Sequence, residues 1–184
     1  MSVRRIVLVR HAKPMIEENV PSAQWKLSPE GAKAAARLAE RLREFQFSRI
    51  DSSPEPKAVG TAQAIAARLG LAMAIDDGLA EHSRKNVGFK TREEIEAGIA
   101  ALFANPGRLV FGDETADACF ERFEAALVRQ LATGTGDVIA ATHGTILTIY
   151  VARALGIAAM PFWRGLGPPC AIVLTEGEMR VIEP

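Results

Sequence analysis

The 184 residues carry no net charge at pH 7, because 22 Lys and Arg balance 22 Asp and Glu. A chain of this length suits one domain and can fold without disulfides or metal. The balanced charge lacks the basic excess of nucleic-acid-binding proteins, so we expect no nucleic-acid partner. No apolar run reaches membrane-spanning length, so we expect no membrane contact and a cytoplasmic location. The sequence leaves the oligomeric state open.

Neither the cysteines nor the histidines form the closely spaced pairs that metal sites use. Cys119 and Cys170 lie far apart in apolar segments, which is typical of buried free thiols in a reducing compartment. The chain has three histidines, and none is paired at helical spacing. We therefore expect neither a metal nor another cofactor.

The chain begins with the apolar run Ile6–Val9, which stops at Arg10-His11. A short continuous run of this kind predicts a strand buried on both faces of a parallel sheet. Ligands of such sheets bind outside the carboxyl ends of the strands. A cation and an imidazole at that place indicate a site for a phosphate-like anion. The alternative is a surface Arg beside a capping His.

After this strand, local end signals predict two helices and two short strands. A polar loop from Lys13 to Leu27 comes first, and Ser28-Pro29 then provides an N-cap and a first helical position. Gly70 is a typical helix C-cap. The predicted elements are a helix from Ser28 onward, a strand at Arg49–Ser52, a helix at Pro54–Leu69 and a strand at Leu71–Ile75.

The middle of the chain predicts a long loop followed by two helices. The loop runs from Asp76 to Lys90, and Thr91 with Glu94 has the spacing of a capping box. The helix that follows should end near Phe103. A second helix from near Thr115 has apolar residues at helical spacing, which is typical of a core-facing stripe: Phe120, Phe123, Leu127 and Leu131.

A second copy of the opening pattern comes late in the chain. The buried strand Val138–Ala141 ends at Thr142-His143-Gly144, and an apolar helix follows to Leu155 with Gly156 as its cap. Pro161 to Pro169 is predicted as a loop. The chain then closes with a hairpin of Ala171–Leu174 and Met179–Ile182, joined through Glu176-Gly177.

Strands that alternate with helices predict an α/β fold. We expect one domain over residues 1–184, a three-layer sandwich with a mostly parallel central sheet, helices on both faces and a C-terminal antiparallel edge hairpin. Parallel strands bring their carboxyl ends to one edge of the sheet. His11 and His143 can therefore converge from distant parts of the sequence.

Known catalytic motifs leave few alternatives for such a site. The chain contains no G-x-S-x-G nucleophile turn, no G-x-x-x-x-G-K-[ST] phosphate loop and no G-x-G-x-x-G after a strand. An imidazole nucleophile remains the economical hypothesis, because histidine can accept a phosphoryl group covalently.

Several motifs in the same order resemble the histidine phosphatase superfamily, in its phosphoglycerate-mutase-like branch. The resemblance runs through most of the chain. Arg10-His11-Ala12 matches the family's opening Arg-His-Gly, and Leu27–Gly31 matches its L-[ST]-x-E-G segment. Ser52–Ala62 matches the S-S-P-x-x-R-A-x-x-T-A stretch. Leu79-Ala80-Glu81 matches the L-x-E element, and Thr142-His143-Gly144 matches the final [ST]-H-G.

The resemblance implies phosphomonoester hydrolysis through a phosphohistidine on His11. Arg10, Lys57 and His143 would surround the phosphoryl oxygens, with Thr142 and Gly144 also in the substrate site. The substrate would be a small phosphorylated molecule, and a phosphoprotein is possible.

Glu81 would protonate the departing alkoxide and then deprotonate the water that hydrolyses the phosphoenzyme. For the first role it must hold a proton when substrate arrives, which a nearby phosphate dianion favours by raising its pKa. The alternative for Glu81 is a solvated loop carboxylate. His82, Arg84 and Lys85 could attract an acidic substrate, or belong to a solvated charged loop.

Two departures from the family pattern concern the site itself. Lys57 stands where the family has Arg, and Ala12 where it has Gly, which would crowd a close backbone approach.

The segment between Glu81 and His143 is short, which favours a phosphatase over a phosphoglycerate-mutase-type phosphoryl transfer. A catalytically weak phosphate-binding module is a further alternative.

Overall fold

A six-stranded sheet forms the centre of the computed structural model, which describes residues 5–133, 135–175 and 177–184. The strands are β1 (Ile6–Arg10), β2 (Phe47–Ser52), β3 (Ala72–Ile75), β4 (Asp137–Thr142), β5 (Cys170–Thr175) and β6 (Glu178–Ile182). Their order in the sheet is β3-β2-β4-β1-β5-β6. The first four are parallel, and β5 and β6 form the predicted antiparallel hairpin at one edge.

The two central strands, β1 and β4, pair so that the predicted site residues come together. Arg10 lies opposite Thr142 in the parallel ladder, and Ser52 of β2 lies opposite Ala141. Three strands therefore end side by side at the same edge. The residues that follow them in the sequence begin the site.

Helices cover both faces of the sheet. They are α1 (Pro29–Arg41), α2 (Pro56–Leu69), α3 (Arg92–Ala104), α4 (Ala116–Ala132), α5 (Gly144–Leu155) and α6 (Ala159–Gly165). Leu38 of α1 and Ile65 of α2 pack on one face against Val7 and Val9. On the other face, α4 and α5 pack against Leu8. This arrangement confirms the α/β three-layer prediction.

The local end signals are confirmed at most helix ends. Gly70 and Gly156 have φ angles of 68° and 65°, the left-handed conformation that favours glycine at a C-cap. Thr91 and Glu94 form both hydrogen bonds of the capping box. Cys119 and Cys170 are buried free thiols.

The prediction of a loop from Pro161 to Pro169 is wrong in its first half, because α6 occupies Ala159–Gly165. Pro161 lies in the first turn of this helix, where a backbone N–H has no intrahelical acceptor, so proline is tolerated. Helix α2 begins at Pro56, two residues later than predicted. The predicted hairpin turn at Glu176 lies outside the described residues.

No helix of the described residues is both long and apolar enough to span a bilayer.

Gly31 allows helix α1 to pack closely on the loop that follows His11. The Oγ of Ser28 accepts the N–H of Gly31 at 2.9 Å and donates to the Lys13 carbonyl at 2.8 Å. A Cβ on Gly31 would lie 2.3 Å from that carbonyl oxygen. This contact gives the glycine of the L-S-P-E-G segment a steric reason.

We predict that Gly31→Ala destabilises the protein by about 1–3 kcal/mol, the usual cost of forcing a methyl into a packed site. Urea unfolding followed by circular dichroism measures the difference. Gly165→Ala is the matched control, because a Cβ there meets no atom within 4 Å. Equal stability of Gly31→Ala and wild type would contradict the steric argument.

Candidate active site

The structure brings His11, His143 and Arg10 together at the carboxyl edge of the sheet. The two imidazole rings lie 5.1 Å apart between centroids, in an edge-to-face arrangement. The backbone N–H of His11 donates to the Thr142 carbonyl at 2.9 Å and so extends the β1–β4 ladder to the histidines. The convergence expected from the two matching strand ends is present.

His11 is held as a neutral imidazole whose Nε2 carries no proton. Its Nδ1 lies 2.8 Å from the Ala12 carbonyl, and because a carbonyl only accepts, Nδ1 carries the proton. Burial, reinforced by His143 and Lys57, lowers the pKa of His11 to about 3. At neutral pH the ring is therefore the form that can act as a nucleophile.

The loop at His11 is fixed by helix α2. The Ala12 N–H donates to Thr61 Oγ1 at 2.9 Å, and that hydroxyl donates to the Lys57 carbonyl at 2.7 Å. The Ala12 methyl is fully buried in the core between the sheet and the helices α1 and α2. Alanine in place of the family's glycine thus adds core packing at this position.

His143 is fully buried at the start of α5, between Ser53 and the sheet edge. Its Nε2 lies 2.7 Å from Ser53 Oγ, while Nδ1 has no hydrogen-bond partner among the described residues. Burial is the main cause that lowers the pKa of His143 to about 3. Ser53 stands in the matched S-S-P segment, but the sequence pattern indicates no role for it.

Arg10 lies against the first turn of α5. A Cβ on Gly144 would be 3.1 Å from Arg10 Cζ, so the glycine leaves room for the guanidinium. Nη1 donates to the Leu166 carbonyl, whereas the buried Nε has no partner in the described part of the chain. Gly144 therefore leaves space for the guanidinium, and its predicted contact with substrate stays a prediction.

Lys57 is buried in the site but is engaged by protein groups. Its Nζ donates to the Ser22 carbonyl at 2.7 Å and to the Glu55 carboxylate at 2.5 Å, with 7% of the side chain exposed. An internal carboxylate thus holds the ammonium, and the contact of Lys57 with the phosphoryl oxygens stays a prediction. The lysine also does not lie on an exposed helix face.

Glu55 is a site residue that sequence reasoning missed. Its Oε1 accepts the Glu81 backbone N–H at 3.0 Å and lies 3.5 Å from His143 Nε2. Glu55 occupies a variable position between the fixed residues of the S-S-P-x-x-R motif, so the pattern carries no signal for it. Only the turn into α2 brings its carboxylate inward.

Glu81 is an ionised carboxylate at the N-terminus of α5. It accepts backbone N–H groups from His82 at 2.9 Å, Thr145 at 3.2 Å and Ile146 at 3.0 Å. Burial opposes the charge, but Arg84 at 3.7 Å, His143 and these donors hold the pKa of Glu81 well below its usual range. These contacts favour the ionised carboxylate in the protein alone, whereas a proton on Glu81 when substrate arrives stays a prediction.

The loop that carries Glu81 is fixed from behind by two side chains. Arg122 donates to the carbonyls of Gly78 at 2.9 Å and Ala80 at 3.0 Å and pairs with Glu114. Thr142 Oγ1 donates to the Leu79 carbonyl at 2.8 Å. The Thr142 hydroxyl thus holds this loop, and its predicted contact with substrate stays a prediction.

Of the charged loop residues, Arg84 contacts the site directly. Its Nη2 donates to Thr145 Oγ1 at 2.5 Å, beside Glu81. His82 is buried, and its Nε2 donates to the Glu114 carbonyl at 2.7 Å, so it holds the loop in place. The backbone of Lys85 donates to Asp113. Within the described ranges no group of three His, Cys, Asp or Glu side chains could hold a metal ion.

Comparisons with solved structures find the same fold in several bacterial proteins. A mycobacterial glucosyl-3-phosphoglycerate phosphatase aligns with a TM-score of 0.74 and 22% identity over 92% of this chain and 89% of its own. YhfR of Bacillus stearothermophilus aligns with a TM-score of 0.73 and 19% identity over 98% of this chain and 96% of its own. A putative alpha-ribazole-5'-P phosphatase from Escherichia coli aligns with a TM-score of 0.71 and 18% identity over 100% of this chain and 97% of its own.

A search among curated protein sequences finds no significant match. The sequence profile of the histidine phosphatase superfamily, branch 1, matches residues 6–180. That range contains both strand ends with their histidines and all the matched motifs. The predicted family and the predicted enzyme class, a phosphatase, are confirmed: the chain belongs to the histidine phosphatase superfamily, branch 1.

Proposed function

We propose that the protein hydrolyses phosphomonoesters through a phosphohistidine formed on His11. The observation that carries this proposal is a pair of buried nitrogens, Arg10 Nε and His143 Nδ1, that have no hydrogen-bond partner among the described residues and belong to the site of the neutral His11 ring. Buried polar groups are normally hydrogen-bonded, and leaving one unsatisfied costs about 1–3 kcal/mol. A phosphoryl group offers acceptor oxygens for both.

In the first step, Nε2 of His11 attacks phosphorus and the ester P–O bond breaks. Negative charge on the phosphoryl oxygens is stabilised by Arg10 and by Nδ1–H of His143, with the Ser53 hydroxyl donating to His143 Nε2. Such transfers depend chiefly on positioning and on charge stabilisation. The donors here are fixed by the β1–β4 ladder and by α5, so little reorganisation is needed during the reaction.

In the second step, water attacks phosphorus, the N–P bond breaks, and His11 recovers its lone pair. The ionised state of Glu81 suits the base that takes a proton from this water. Hydrogen bonds from three backbone N–H groups lower the pKa of Glu81. Glu81 can therefore donate a proton in the first step only if the incoming phosphoryl dianion raises this pKa. Glu81 therefore fits the second step directly and the first step only with substrate bound.

The substrate class we propose is a small phosphorylated molecule. Similar structures include enzymes named for glucosyl-3-phosphoglycerate and, as a putative activity, for alpha-ribazole-5'-P, which supports phosphatase over mutase chemistry. The Arg84 guanidinium beside the site, 5.4 Å from the Phe111 ring centroid, adds a cation for an acidic substrate.

We predict that brief incubation with 32P-labelled substrate leaves label on the protein after an alkaline quench and loses it after an acid quench, as expected for an N–P bond. His11→Ala should abolish both the label and turnover, because no other group takes the nucleophile's place. His82→Gln is the matched control, since this buried histidine bonds to Glu114 and should leave the label intact. Labelled, active His11→Ala would refute the covalent mechanism.

We also predict that Glu81→Gln separates the two steps on p-nitrophenyl phosphate. The aryl leaving group departs without a proton, so phosphorylation continues while the loss of the base slows hydrolysis of the phosphoenzyme. Stopped-flow absorbance should show a burst of nitrophenol close to the enzyme concentration, followed by slow turnover. Glu124→Gln, on the exposed side of α4, should behave as wild type. Slow turnover without a burst or trapped phosphoenzyme would assign Glu81 to positioning alone.

A further inference from the structure

One guanidinium, that of Arg122 on α4, binds three backbone carbonyls in the loop that carries Glu81. Its Nη1 donates to the carbonyls of Gly78 at 2.9 Å and Ala80 at 3.0 Å. Its Nη2 donates to the carbonyl of Glu81 itself at 3.3 Å. Backbone carbonyls need hydrogen-bond donors, and a helix or a sheet usually supplies them. In this loop a side chain from a distant segment supplies them instead.

Glu114 fixes this guanidinium and the backbone that follows Glu81. Its two carboxylate oxygens bind Arg122 at 2.9 Å to Nε and 3.0 Å to Nη2, which is the bidentate geometry of a strong ion pair. Oε2 also accepts the Ser83 N–H at 3.0 Å. The Arg122–Glu114 pair therefore contacts the chain before, at and after Glu81.

Helix α4 carries this loop on one of its faces. Arg122, Ala126 and Arg129 are spaced by four and three residues, so they lie on the same side of the helix. A Cβ on Gly78 would lie 2.6 Å from the Ala126 Cβ, so the loop backbone packs closely on the helix. Arg129 donates to Asp76 at 3.0 Å, and Asp76 accepts the Gly78 N–H at 2.8 Å. Arg122 is thus part of a fixed surface beneath the loop.

Glu81 is held from two sides by two helices. Its backbone carbonyl binds Arg122 of α4, while its carboxylate accepts the N–H groups of Thr145 and Ile146 of α5. The contacts with Arg122 therefore fix the backbone from which the carboxylate extends into the site. A displacement of about 1 Å in such a site can cost about 100-fold in rate.

We propose that Arg122, held by Glu114, is the positioning residue for Glu81 and determines how fast Glu81 transfers protons. The inference rests on the function proposed above, in which Glu81 takes the proton from the attacking water. His11 and His143 are held by other elements, namely the β1–β4 ladder and the start of α5. Phosphoryl binding and attack by the nucleophile are therefore independent of Arg122.

The first test is Arg122→Lys with p-nitrophenyl phosphate. Lysine keeps the charge beside Glu114, but its point charge cannot replace the planar fork that binds three carbonyls and a carboxylate. The 32P-labelled phosphoenzyme should decay about 10–100-fold more slowly than in wild type. By contrast, kcat/KM, which reports phosphorylation, and the inhibition constant of inorganic phosphate should stay unchanged. A general loss of structure would change all three.

Arg153→Lys is the matched control and should behave as wild type. Arg153 has a similar exposure, 34% against 28% for Arg122, and it also pairs with a carboxylate of the α4 region, that of Asp117. If Arg122→Lys does not fold, Glu114→Gln replaces it, because the amide cannot give both Arg122 and the Ser83 N–H an acceptor. Glu114→Gln should show the same slow decay.

The double variant Glu81→Gln/Arg122→Lys tests whether Arg122 acts through Glu81. If it does, the double variant is as slow as Glu81→Gln alone, because the group being positioned is already lost. Losses that multiply would overturn the proposal, and so would decay at the wild-type rate in Arg122→Lys.

The same variants separate this inference from the proposed function. A slow Glu81→Gln beside a wild-type-like Arg122→Lys overturns the inference alone, whereas Glu81→Gln at the wild-type rate refutes the proposed base. Turnover of an alkyl phosphate by the two single variants and the double variant needs no trapped phosphoenzyme. It therefore tests the positioning role even if His11 carries no label.

Discussion

The parallel pairing of β1 with β4 is the constraint on which the site depends. It places Arg10 opposite Thr142 and continues through the His11 N–H to the Thr142 carbonyl. The two histidines are separated by more than a hundred residues in the sequence, yet the ladder sets their rings 5.1 Å apart. Both strands are buried between helical layers. A shift in register would therefore expose apolar side chains and at the same time move the two histidines apart.

The site holds more charge than an apolar core would tolerate, and its carboxylates are compensated in place. Glu81 is bound by the first turn of α5, and Arg122 fixes its loop through backbone carbonyls. Lys57 is compensated by Glu55. Arg10 Nε and His143 Nδ1 are buried without a hydrogen-bond partner among the described residues. An anionic group is what this arrangement lacks.

The departures from the family pattern have different structural consequences. Ala12 is accommodated because its methyl joins the core below the loop. Lys57 is paired within the protein, since its ammonium donates a hydrogen bond to the Glu55 carboxylate two residues earlier in the sequence. A lysine offers a point charge where the family's arginine offers a planar fork. The Lys57–Glu55 pair is therefore best regarded as one unit, and Glu55 gives the pocket a charge that the matched motifs do not contain.

Periodicity and end signals in the sequence determined the layers, the helix caps and the meeting of His11 with His143, because these follow from local chemistry and from the geometry of parallel strands. The motif resemblance determined the family. The tertiary structure alone decided the contacts of Glu55, Ser53 and Arg122, and it added protein partners for Glu81 and Thr142 that the sequence pattern does not contain. The physical reason is that ionisation and hydrogen bonding depend on groups brought together from distant segments, such as the α5 N-terminus at Glu81. A one-dimensional pattern shows which residue is present, whereas its charge state is set by neighbours that only folding supplies.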